Sequence, residues 1–287
     1  TSKFTASASL RFFKGFLIGV AEIIPGVSGG TIALIAGVYE KLIYSIANIN
    51  LVFLHKILNG KFKLAWDSIE GNFLFLLTLG MASALFSLSS LIIYLLTYHP
   101  FLLTALFSGL LLGSLIIKPL KPQKIGFRFI LGFSCSILPV YFLFTLPQII
   151  FNELSLIYLF FGGFLAVCAL ILPGVSGSFV LLLLGLYPFI LSALNNLDFY
   201  VLGIFILGCL TGLFSFVRLV RLVYSLYREI LLSFFYGLVL FSIPLIWQRN
   251  IMNFNYTFSS KEALEVVSGV ILGLIFILVI SLKFKRN

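Results

Sequence analysis

The chain has 287 residues, 61% of them hydrophobic and only 10% charged. A soluble domain of this length cannot hide that much apolar surface, so a soluble protein is excluded. The formal net charge is +10; in so apolar a chain the excess marks cytoplasmic loops and attraction to anionic lipid, and no nucleic-acid partner is expected.

Residues 1–14 set Lys3, Arg11 and Lys14 among Phe and Leu, which predicts a helix lying along the cytoplasmic face. Next comes GFLIGVAEIIPGVSGGTIALIAGVYE, from Gly15. Its two arms, 15–24 and 28–40, are each about 15–20 Å long at 1.5 Å per residue. The hydrocarbon core is about 30 Å thick. Each arm therefore crosses about half of it, and the segment reads as a re-entrant helical hairpin over 15–40. Residues 41–58 predict a second interfacial segment. Apolar spans are expected at 72–97, 101–117 and 129–147. A second hairpin over 156–194 contains LILPGVSGSFVLLLLGLYP, and spans at 199–219, 229–247 and 263–282 follow.

The two hairpins are copies. At an offset of 148, 13 of 32 positions from Gly15 onward are identical, including Gly15/Gly163, the PGVSG block, Gly37/Gly185 and Tyr39/Tyr187. A second match, at an offset of 128, aligns LGMASALFS (79–87) with LGCLTGLFS (207–215). The expected fold is an all-α polytopic membrane protein of two repeats, 1–150 and 151–287, each a hairpin plus three spans. An odd number of spans inverts the second copy. With both termini cytoplasmic, all of the 19 Lys and Arg except Arg249 and Lys261 fall on the cytoplasmic side, as the positive-inside rule demands. Inverted repeats whose broken helices meet near the midplane are a common plan of secondary transporters.

The chemistry lies in the two loops. Proline lacks an N–H and disfavours helix in the preceding residue, so Pro25 ends the first arm. Gly26 permits a sharp turn, and Ser28 stands at an N-cap position. Opposed helix starts aim N–H groups and partial positive charge at one spot, an arrangement that attracts an anion. Phosphate can accept there from Ser28, Gly29, Gly30, Thr31, Gly174, Ser176, Gly177 and Ser178. Glu22 lies eight positions beyond Lys14 on the first arm. An ionisable group at that depth is costly and points to a proton-coupling role. Its counterpart is Leu170, so the acid belongs to one copy only. Arg218 and Arg221, near the cytoplasmic end of their span, are candidate phosphate contacts.

Other chemistries find less support. Gly26-Val27-Ser28-Gly29-Gly30 fits the G-x-S-x-G elbow of serine hydrolases, but neither hairpin holds a histidine. Cys135, Cys168 and Cys209 lie in apolar runs without ligand-like spacing. No catalytic residue, metal or cofactor is expected.

The pair GVAEIIPGVSGGTIALIAGVYE and LILPGVSGSFVLLLLGLYPFIL resembles the polyprenyl-phosphate translocase family (PopT type), over almost the whole chain from Arg11 to about Ile280. The resemblance implies a bacterial inner-membrane protein that moves undecaprenyl phosphate between leaflets for reuse in cell-envelope synthesis. It also implies a phosphate headgroup held at Pro25–Thr31 and Pro173–Ser178, with the prenyl tail in lipid. The family usually has Asp where this chain has Glu22. Two rival readings are a transporter of a small soluble anion and an undecaprenyl-pyrophosphate phosphatase-like enzyme. The phosphatase type carries arginine and serine where this chain has Gly29-Gly30 and Gly177-Ser178, and this chain lacks the E-x-x-x-E pair of that type. The sequence does not specify oligomeric state.

Overall fold

The computed structural model describes residues 8–23, 28–117, 120–122, 124–145, 155–250 and 259–285. Among them are fourteen helices: α1 (Ala8–Ile23), α2 (Gly29–Ile35), α3 (Tyr39–Ala47), α4 (Leu51–Leu58), α5 (Phe62–Ser68), α6 (Gly71–Tyr98), α7 (Pro100–Ile116), α8 (Phe127–Thr145), α9 (Leu156–Ile171), α10 (Gly177–Leu183), α11 (Tyr187–Asn195), α12 (Phe199–Leu226), α13 (Arg228–Asn250) and α14 (Ser260–Lys285). No described residue is in a strand. The protein is an all-α polytopic membrane protein.

Among the described residues four helices carry stretches long and apolar enough to cross a membrane: Gly71–Leu88, Phe199–Leu226, Arg228–Gln248 and Ser260–Val279. Their outer faces are oily, with Phe86 90% and Phe199 75% exposed. In water such a surface would aggregate, whereas in hydrocarbon it is the solvated state. Polar side chains on these faces turn back on their own helices. Thr78 donates to the Leu74 carbonyl, Ser87 to Ser83, Thr211 to Leu207 and Ser215 to Thr211. Each such bond spares an unpaired hydroxyl in lipid.

The expected spans lie within α6, α12, α13 and α14; the span at 101–117 overruns α7 by one residue, and residues 146 and 147 of the span at 129–147 lie outside the described residues. α6 passes into α7 through a single residue, His99 (φ −136, ψ 50), and α12 into α13 through Tyr227 (φ −133, ψ 46). The two corners are 128 residues apart, the offset of the sequence match, although their side chains differ.

Glycines set the helix pairing. A Cβ on Gly15 of α1 would strike the Leu77 carbonyl of α6, and one on Gly163 of α9 would strike Phe205 of α12. Likewise Gly80 lies against the Phe12 carbonyl and Gly208 against Phe160. Each pair maps onto the other by the offsets 148 and 128. The remaining long helices exchange partners. α7 packs against α14, where Gly273 meets the Leu106 carbonyl, and α8 against α13, where Gly132 meets Ile230. The last long helix of each half of the chain thus packs on the second long helix of the other. Small residues let such backbones touch, which is how membrane helices gain contact without a hydrophobic drive.

The arms differ in length from the sequence reading. Residues 8–14 continue into α1 as one helix. The second arm stops at Ile35, and α2 and α3 meet at 114°. Gly37 is the cause: it takes φ +68, and its N–H bonds the Leu34 carbonyl while Val38 N–H bonds Ala33. This is the helix-ending pattern that glycine permits. Gly185 (φ +65) repeats it after α10, with bonds to Leu182 and from Leu186 to Leu181.

Candidate functional site

The two motifs meet in the buried interior. Pro25 and Gly26 lie outside the described residues; the described part of the first loop begins at Ser28. Ser28 is extended (φ −102, ψ 123) at the N-cap of α2, and Ser176 matches it (φ −100, ψ 129) before α10. Neither side chain caps its own helix. The Ser28 hydroxyl instead donates to the Leu172 carbonyl of the second motif, at 3.0 Å. Thr31 Oγ1 accepts the Gly174 N–H at 2.8 Å. The Tyr39 hydroxyl adds a third tie, donating to the Ile171 carbonyl at 3.1 Å. Thr31 is fully buried and Ser28 nearly so, so these bonds form where an unpaired polar group costs most.

Glu22 faces the start of α2. The Gly29 N–H donates to Glu22 Oε1 at 2.8 Å. A carboxylate at a helix N-terminus gains from the peptide dipoles and from a charge-assisted bond. Gly29 is required for that contact, because a Cβ would land on the Glu22 carboxylate. Gly30 lies against the carbonyls of Leu170 and Ile171. The first loop therefore holds a carboxyl group of its own.

The second loop is built differently. Gly174 has φ +88, a conformation favouring glycine, and it packs on the Leu238–Val239 backbone of α13. Gly177 opens α10 against the Ala166 carbonyl of α9. Ser176 is buried and Ser178 half-buried, and their hydroxyls lie 2.9 Å apart. Leu170 stands where the first copy has Glu22, and Phe179 where it has Thr31. The first loop offers an acid and acceptors, whereas the second offers a hydroxyl pair.

Arg218 and Arg221 belong to another set of contacts. Arg221 donates to Asn48 Oδ1 at 2.8 Å and its guanidinium lies 4.7 Å from the Tyr44 ring centroid. Arg218, exposed, donates to the Ile49 carbonyl at 3.3 Å. Further along α12 the Tyr224 hydroxyl donates to Glu40, and Arg228 Nε, at the start of α13, donates to Tyr224. Together these groups fasten α12 to α3. Sequence reasoning missed Tyr39 as a tie and Asn48 and Tyr44 as partners. Tyr39 was visible as an identity with Tyr187, but identity alone did not tell a packing ring from a hydrogen-bonding one.

Ser28 does not carry the geometry of a hydrolase nucleophile. Its hydroxyl is committed to a carbonyl, His55 lies on α4, and His99 Nδ1 pairs with Glu265 at 2.9 Å.

A "Polyprenyl-phosphate transporter" of Vibrio cholerae is 36% identical over 242 residues, covering 82% of this chain and 76% of that protein. A protein of the same name from Staphylococcus aureus is 30% identical over 198 residues, covering 65% of each. No solved structure matches the chain. The profile of the VCA0040-like family, described as undecaprenyl phosphate translocase-like, matches residues 18–264, a stretch holding both motifs and the whole contact between them. The chain belongs to the undecaprenyl phosphate translocase-like family.

Proposed function

We propose that this protein is a transporter, not an enzyme, and that it carries a polyprenyl phosphate, with undecaprenyl phosphate its substrate, between the leaflets of a bacterial inner membrane. The observation that carries this reading is the tie between the motifs, Thr31 to Gly174 and Ser28 to Leu172. The names of the two relatives support the substrate class.

A bare phosphate cannot cross hydrocarbon, because burying an unpaired ion costs tens of kcal/mol in an idealised low dielectric. In this proposal the two copies are inverted, their hairpins enter from opposite sides, and both termini are cytoplasmic. The loop N–H groups and hydroxyls from Pro25 to Thr31 and from Gly174 to Ser178 replace the phosphate's water. The bonds between the loops then describe the closed state, and parting them toward one side opens the site to that leaflet.

Glu22 supplies the proton coupling. When ionised it holds the Gly29 N–H that a phosphate oxygen needs, and adds like-charge repulsion. Protonation removes the charge and weakens the hold on the donor, so proton and phosphate bind together. Arg218 and Arg221, on α12 and bonded to the end of α3, act at the cytoplasmic approach, attracting the headgroup before it reaches the loops.

The test is reconstitution into vesicles containing a labelled polyprenyl phosphate, with leaflet transfer scored for the parent and for the Ser28→Ala, Ser176→Ala double variant. Transfer above empty vesicles for the parent and at least a tenfold loss in the double variant are expected. A parent that matches empty vesicles, or one that moves inorganic phosphate instead, overturns the reading.

A further inference from the structure

Beside the first loop runs an apolar slot of about 310 Å³, bounded by α1, α2, α7 and α14. Leu17, Val20 and Ala21 line it from α1, Ile32 from α2, Phe107 from α7 and Phe276 from α14. Its volume is at the small end of the range of ligand pockets, about 300–1,000 Å³. Phe276 is 45% exposed, so the slot opens sideways to lipid.

Position argues for one occupant. Ala21 immediately precedes Glu22, and Ile32 immediately follows Thr31. Two of the slot's lining residues thus adjoin, in the chain, residues that make the polar contacts of the first loop. A molecule with its phosphate at the loops has in this slot an apolar seat for its next carbons. Unfilled apolar space forfeits contacts that a close-fitting chain would make. At interior packing density the volume holds roughly two to three isoprene units. Branched, partly unsaturated units also suit walls that include two aromatic rings.

We infer that this slot seats the first isoprene units of the carried lipid and selects for a prenyl over a linear chain, leaving the rest of the tail in the bilayer. The inference rests on the polyprenyl-phosphate reading above and adds a specificity element to it. The protein then recognises the start of the chain and not its total length. Geranyl and longer prenyl phosphates satisfy the slot alike, whereas a linear alkyl phosphate of equal carbon number does not.

The experiment is competition against transfer of a labelled polyprenyl phosphate in vesicles, with geranyl phosphate, decyl phosphate and inorganic phosphate as competitors. Geranyl phosphate is expected to compete about tenfold or more better than decyl phosphate, the discrimination a shaped apolar pocket supplies for small differences in fit. Val20→Trp, which fills the slot, should lower transfer of the labelled polyprenyl phosphate itself and abolish that preference in the transfer that remains. Phe276→Ala, at the exposed mouth, should weaken the preference severalfold and serves as the readout if Val20→Trp does not fold. Equal competition by geranyl and decyl phosphate in the parent, or an unchanged preference in Phe276→Ala, overturns the slot assignment alone. A parent that transfers no polyprenyl phosphate overturns the transport reading and the slot with it.

Discussion

Thr31 Oγ1 and the Gly174 N–H, 143 residues apart in sequence, form a 2.8 Å hydrogen bond in the buried interior. Thr31→Val keeps the shape of the side chain but removes the acceptor and strands the amide. A buried donor left unpaired costs about 1–3 kcal/mol. The expected result is a lower unfolding temperature in detergent for Thr31→Val and near-parent stability for Thr31→Ser. Equal stability of Val and Ser variants would show that the bond contributes nothing.

Glu22 and Gly29 make the second relationship with a measurable sign. Ionised Glu22 occupies the Gly29 N–H, so phosphate affinity should fall as pH rises through the titration of Glu22. Glu22→Gln can still accept from Gly29 but carries no charge at any pH. Its binding curve should lose that fall and retain only the phosphate's own titration. Isothermal titration with a short prenyl phosphate between about pH 5 and 8, the window where proteins are commonly most stable, checks it. Parallel curves for parent and variant would remove Glu22 from the coupling.

Two glycines on one helix should respond oppositely. A Cβ on Gly208 would strike the Phe160 carbonyl, while one on Gly203 meets open space. Gly208→Ala should destabilise the protein by about 1–3 kcal/mol through overpacking against α9. Gly203→Ala should be neutral or up to about 1 kcal/mol stabilising, the difference in helix propensity. Denaturant unfolding in mixed micelles compares them.

Arg218 and Arg221 should separate by chemistry. Arg221→Lys loses the planar stack on Tyr44 and the directed bond to Asn48, costing about 1 kcal/mol of stability. Arg218→Ala should leave stability within about 0.5 kcal/mol, as exposed surface changes do. It should also slow transfer severalfold at low salt and less at high salt. Transfer by Arg218→Ala that equals the parent at every salt concentration would exclude a role for it in the approach.

Much of this architecture could be read from the chain. Proline, glycine and serine at fixed places announced the loops, and long apolar runs announced α6, α12, α13 and α14. The offsets 148 and 128 linked helices whose glycine contacts match by the same arithmetic. Partner exchange between α7 and α14 and between α8 and α13 could not be read, because an all-apolar helix carries no sign of which neighbour it faces. The early end of α2 depended on the backbone angle of Gly37, which composition does not encode. Glu22 was visible as a costly acid, but its bond to Gly29 arises from the return of the chain. Arg221 was visible as a cation near a membrane edge, whereas its partner Asn48 comes from a segment 173 residues away.

Dipolar recoupling between the ³¹P of a bound prenyl phosphate and ¹⁵N-labelled protein measures the site directly. With ¹⁵N-glycine, the account predicts dephasing at hydrogen-bond range, N···O about 2.7–3.2 Å, from the amides that begin α2 and α10. Dephasing from ¹⁵N-arginine side chains alone, with none from glycine amides, would place the phosphate at α3 and α12 and contradict it.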